Sequence, residues 1–189
     1  MRNFVKRVFM KAWGKELVPI IDIRSGAMHL VVGTLLGAIA VILQSAGIFT
    51  GIGYLFSTMT TLPLALAGLL SLRIGVMTYS LTGLLLAILQ PSELLIFLFT
   101  TGLLGLSLGT GIRYLKRSIL VSVFSATCLT SGISILLYGF RFAVLGPSIT
   151  SHFSSAVILG VFGFALLYSW IWQMISISAF KILNKVVSK

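Results

Sequence analysis

Negative charge is nearly missing from this chain. Of 189 residues only 3 are Asp or Glu, against 14 Lys or Arg, and charged residues make up 9% of the whole. Soluble domains carry about 25%, so a chain this poor in charge cannot cover a globular surface in water. Cysteine occurs once, as Cys128 inside an apolar run, which excludes an intrachain disulfide and a zinc site built from cysteines. The Gly14–Lys15 pair is followed by Glu16, so no phosphate-binding loop exists and the chain is expected not to hydrolyse ATP itself. Asp22 and Glu93 fall at the edges of apolar runs. That leaves no carboxylate pair for intramembrane proteolysis and no mid-membrane ionisable group for proton coupling. His29 and His152 are far apart and poorly placed for a serine–histidine pair or a metal site. The expectation is a protein that is not an enzyme and needs no metal or cofactor.

What the chain has instead is apolar length. Hydrophobic residues make up 58% and the mean hydropathy is +1.11. A helix needs about 20 apolar residues to cross a bilayer, and the charge-free stretches serve as rulers. Residues 25–72 hold two spans and a connection, 74–92, 94–112 and 118–140 hold one each, and 142–180 hold one with a polar lead-in. The fold class expected is all-α: an integral membrane protein with six transmembrane helices in one bundle. With the N-terminus in the cytoplasm, 13 of the 14 basic residues fall inside and only Arg141 outside, as positive-inside bias requires. The basic residues flank apolar runs and form no stripe, so anionic lipid is the expected partner and nucleic acid is not.

Residues 1–24 read as a cytoplasmic amphipathic segment and not as a signal peptide. Phe4, Val5, Val8, Phe9, Ala12 and Trp13 share one helical face, with basic residues on the other. Residues 25–180 form the bundle and 181–189 a basic cytoplasmic tail. The stretch "GIFTGIGYLFSTMTT", Gly47–Thr61, is uncharged, rich in glycine and polar for a span. At the membrane edge such backbone is tolerated where it is buried in protein or lines a wet cavity, so it is expected to be an external connection that covers something.

Several residues admit two readings. Glu93 and Arg141 are the external charges, either grasping a zwitterionic or anionic ligand or solvated at the interface. Gln44, Tyr54, Thr58, Thr60, Tyr138 and His152 gather by topology near the outer face. There they either hydrogen-bond a small ligand in an apolar pocket or belong to the interfacial belt. Gly33 and Gly37 in "GTLLG", like Gly105 and Gly109, permit close helix approach, to a partner subunit or within the bundle. Tyr168, Trp170 and Trp172 read as interface anchors.

In layout the chain resembles the substrate-binding subunits of energy-coupling factor (ECF) transporters and related six-span bacterial families. The resemblance rests on its length, six helices, the small-residue pair of span one, the long uncharged first external stretch and the run "LPLALAGLLSLRIG". It implies that Gly33 and Gly37 touch a membrane coupling subunit, that an ATPase pair supplies energy, and that Gly47–Thr61 and Phe142–Phe153 act as lids over a vitamin-sized ligand. The substrate-binding set is then Gln44, Tyr54, Thr58, Glu93, Tyr138 and Arg141, in a bacterial inner membrane. A non-catalytic scaffold of the cell envelope is the alternative.

Overall fold

The computed structural model describes residues 26–49, 52–115, 117–141 and 155–187. The amphipathic segment 1–24, the second lid Phe142–Phe153 and His152 lie outside them. Among the described residues every regular element is helical. In chain order these are α1 (Gly26–Ser45), α2 (Ile52–Met59), α3 (Thr61–Leu70), α4 (Leu72–Leu89), α5 (Pro91–Ile96), α6 (Gly102–Tyr114), α7 (Ser118–Ser134) and α8 (Ser155–Val187).

These elements join into longer segments. Five are long and apolar enough to cross a membrane: Gly53–Leu70, Leu72–Leu89, Pro91–Tyr114, Ser118–Gly139 and Ser155–Ile182. Within α1 the apolar stretch Leu30–Ser45 is shorter, so five or six crossings fit the molecule. The exterior agrees with that. Val31, Leu35 and Ile42 on α1, Leu84 and Ile88 on α4, and Leu159 and Leu167 on α8 are all exposed, far more apolar surface than a water-soluble monomer leaves open.

The breaks follow from local chemistry. Ser71 is extended, ends α3 and caps α4, its Oγ accepting from the Arg73 amide at 3.3 Å. Gln90 leaves helical geometry and Pro91 opens the next segment, where a missing N–H costs nothing. Leu115 is extended and ends α6. Two segments contain a π-turn, Phe97–Thr101 and Ile135–Gly139. In the first the Gly102 amide bonds back to the Phe97 carbonyl, and in the second Phe140 bonds to Ile135 at 3.1 Å.

Glycine sets the packing of the centre. α3 and α6 run parallel in contact. A Cβ at Gly105 would lie 2.5 Å from Leu64 Cβ and 2.7 Å from the Thr61 carbonyl oxygen. One at Gly109 would strike the Ala65 carbonyl and come within 2.8 Å of Gly68 Cα. The close approach expected of Gly105 and Gly109 is therefore made inside the bundle. Around it lies the main core, including Ala65, Leu104, Leu108, Val121, Leu129, Ala165 and Trp172.

Two expectations change here, and the tail gains a described part. Ile52–Met59 is helical and runs almost unbroken into α3, so only the short turn around Ala46–Ile48 and the residues up to 51 connect α1 to α2. Within the expected tail 181–189, α8 stays helical to Val187. Trp172 is no interface anchor: it is buried in the core, with the Tyr168 ring edge-on at 6.3 Å.

Open and closed glycines give a paired test. Gly109→Leu should overpack the α3–α6 contact, costing about 1–3 kcal/mol or more, whereas Gly160, with nothing within 4 Å of its Cβ position, should accept leucine. Thermal unfolding in detergent, followed by tryptophan fluorescence, should show a large loss for the first variant and none for the second. Equal behaviour of the two would refute the packing account.

Candidate functional site

Two glutamines sit inside apolar runs, and each is the hub of a buried polar network. Gln44 is near the end of α1 and fully buried. Its Nε2 donates to Ser57 Oγ at 2.8 Å and to Glu93 Oε2 at 2.9 Å, while its Oε1 accepts from Thr101 Oγ1 at 2.8 Å. One amide thus ties together α1, α2, α5 and the first π-turn. The extra residue of that turn rephases the helix, and Thr101 at its end meets Gln44.

Glu93 is 8% exposed. It stands in the first turn of α5, where the helix start partly offsets negative charge. A Cβ at Gly47 would fall 2.8–2.9 Å from its carboxylate atoms, so only glycine lets that carboxylate lie against the α1–α2 connection. The solvated reading of Glu93 is thereby overturned: this acid is enclosed. The connection does cover something, namely the Gln44–Glu93 pair.

Of the six residues expected to bind substrate, the structure joins these two. Tyr54 is exposed. Thr58 is half-buried, its Oγ1 donating to the Leu55 carbonyl at 2.8 Å, with the Tyr168 hydroxyl alongside. Tyr138 is half-buried in the second π-turn. Arg141 is exposed, with φ 52°, in the left-handed region. No ion pair links Glu93 and Arg141.

Gly33 and Gly37 are turned inward as well. A Cβ at Gly33 would meet Ile74 at 3.0 Å, and one at Gly37 would meet Leu81 at 3.4 Å. Thr78 and Thr82 donate to the carbonyls of Gly33 and Gly37 at 3.1 and 3.4 Å. The pair seats α4 beside α1 in parallel, so its small-residue face is not open to a coupling subunit.

Ser57, Thr101 and Gly47 were missed in the sequence, as was the whole second network. There Ser122 Oγ donates to Gln173 Oε1 at 2.6 Å and Gln173 Nε2 to Ser118 Oγ at 2.7 Å, joining α7 to α8. The available signal was the same in both cases: a lone amide inside an apolar run, opposite hydroxyls at helical spacing. Arg113, counted only as a loop charge, donates from Nη1 to the Leu69 and Leu70 carbonyls at 2.9 and 2.6 Å, capping α3.

No protein-family model matches this sequence, and no curated protein or solved structure matches it. The functional reading therefore stands on the site alone.

The Gln44 hub has a measurable energy. Gln44→Leu fills the same volume but strands buried oxygens, at about 1–3 kcal/mol. Unfolding of Gln44→Leu, Thr101→Val and the double variant in detergent should give a positive coupling energy, about 0.6 kcal/mol by precedent for hydrogen bonds in membranes. A cycle that closes to zero would remove that bond from the account.

Proposed function

We propose that this chain is the substrate-capture membrane subunit of an ATP-driven importer of the ECF type, taking a small molecule such as a vitamin at its Glu93 end. One observation carries the reading: an enclosed carboxylate, held by a neutral amide, under the α1–α2 connection of an otherwise apolar bundle. Ionisable groups inside membrane proteins are costly and mark functional sites by default. A bundle that served only to pack would gain by replacing Glu93 with an apolar residue. In this reading the chain resides in a bacterial inner membrane with both termini cytoplasmic. A membrane coupling subunit and an ATPase pair act in trans, and anionic lipid meets the basic cytoplasmic face.

With Gly33 and Gly37 turned inward, coupling falls to other surfaces of the cytoplasmic half. A specific observation favours the second reading, a cell-envelope scaffold: Gln44 is fully buried and both its polar atoms are bonded within the chain, as in a site with no vacancy.

Copurification separates the two. Extraction from native membranes in mild detergent should recover paired ATPases and a large membrane subunit, identified by mass spectrometry. Recovery of envelope-synthesis or division proteins without an ATPase would replace transport with the scaffold.

A further inference from the structure

We infer that the ligand of this site carries a basic nitrogen, and that its ammonium group pairs with Glu93. The inference rests on the capture reading and narrows its substrate class. An ionised carboxylate offers about four acceptor positions, and among the described residues a single side-chain donor, Gln44 Nε2, occupies one of them. That donor is neutral. A buried charge without a counter-charge is strongly disfavoured, and the start of α5 supplies only a fraction of one.

The described residues have little to offer as counter-charge. Helices of the bundle alternate in direction, so Glu93 shares its end with the turns after Ser45 and Gly139. Of the Lys and Arg among the described residues, only Arg141 belongs to that end, and it is exposed and makes no ion pair with Glu93.

The neighbours fit an ammonium better than a metal. No group of three or more His, Cys, Asp or Glu exists among the described residues, and a divalent ion wants six or more oxygens with several carboxylates. Beside Glu93 stands the Gln44 amide, and that same amide binds the Ser57 and Thr101 hydroxyls. One turn deeper along the Ser57 face, the hydroxyls of Thr60 and Thr61 are fully buried and have no hydrogen-bond partner. Such oxygens suit the N–H and O–H groups of an organic ligand. Gly47 contributes by absence, because a side chain there would push the carboxylate aside.

The experiment uses the full-length chain, purified alone in detergent, so its outcome does not depend on any ATPase. Thermal unfolding is measured with thiamine, choline and pyridoxamine as basic or cationic probes, with biotin, pantothenate and riboflavin as acidic or neutral ones, and with sodium and potassium chloride. At least one cationic probe should raise Tm by several degrees, about 5 °C at saturating concentration. Glu93→Gln, which keeps an acceptor for Gln44, should weaken that probe at least tenfold. Should that variant fail to fold, Gly47→Ala provides the second test: it displaces the carboxylate but keeps its charge, and should also weaken binding. A shift with the acidic or neutral probes alone, an equal shift with sodium or potassium, unchanged binding in the variants, or no shift across the panel would each overturn the ammonium assignment. Copurification of ATPases alongside a failed panel would leave capture standing with another ligand class. A successful panel without ATPases would leave a binding protein that is not an importer subunit.

Discussion

The close approach of α3 and α6 is the constraint on which the rest of the bundle depends. Between helices in lipid there is no hydrophobic driving force, because the acyl chains are as apolar as leucine. Cohesion comes from dispersion and polar contacts, and both demand proximity. Gly68, Gly105 and Gly109 bring the two backbones to a distance that no other residue would permit. Neighbours are hung on this pair by the same means. Gly75 packs on Gly68 where the chain turns from α3 into α4, and Gly132 seats α7 against the Phe99 carbonyl. Large side chains are then free to fill the periphery and face lipid.

Such a frame leaves polar groups to decide what happens at the two ends. At one end Gln173 and two serines fasten α7 to α8, and Arg113 caps α3. At the other, Gln44 fastens α1 and α2 to Glu93 and Thr101. The ends differ in kind. At the first, the Gln173 network is uncharged and Arg113 satisfies helix carbonyls, so both serve cohesion. The second encloses a carboxylate whose acceptor capacity exceeds its donors. Structure alone does not require that excess; binding would use it.

The sequence carried the segments well and their mutual arrangement poorly. Charge-free lengths bounded the apolar runs but left residues 25–72 undivided, so the helix Ile52–Met59 was read as a connection, whereas Ser71, Pro91 and the Leu115 region mark breaks for local reasons that any chain would obey. Gly105 and Gly109 were legible as a contact because their spacing forces a small-residue face. Which helix fills that face is set by three-dimensional packing, and so the same pattern at Gly33 and Gly37 pointed to a partner when the occupant was α4. Glu93 shows the limit most clearly. Local sequence does not say whether a charge at the end of an apolar run turns outward or inward, and the inward choice is made by Gln44, 49 positions away, and by a glycine on another segment. The π-turn that brings Thr101 to the hub leaves no mark in a 3.6-residue period. Trp172 was misassigned because aromatic residues at a run's end are common both in belts and in cores.

The α1–α2 connection acquires a more specific role than flexibility. Gly53 packs against the Ala46 carbonyl and the Phe49 side chain, so this turn is braced, and it bears on Glu93 through Gly47. Admitting a ligand then means breaking the Gln44 hub instead of swinging a loose loop. Three hydrogen bonds hold the hub, and at about 0.6 kcal/mol each in a membrane setting their loss totals roughly 2 kcal/mol. That lowers apparent affinity about thirtyfold relative to an open site, a modest penalty that one charged pair with Glu93 would offset. The same hub keeps the carboxylate covered when the ligand is absent. On the capture reading, an amide that donates to Glu93 and gives way to a stronger donor would link occupancy of the site to the position of α1 and α2. A coupled importer would use that link, whereas in a scaffold the same three bonds would serve cohesion alone.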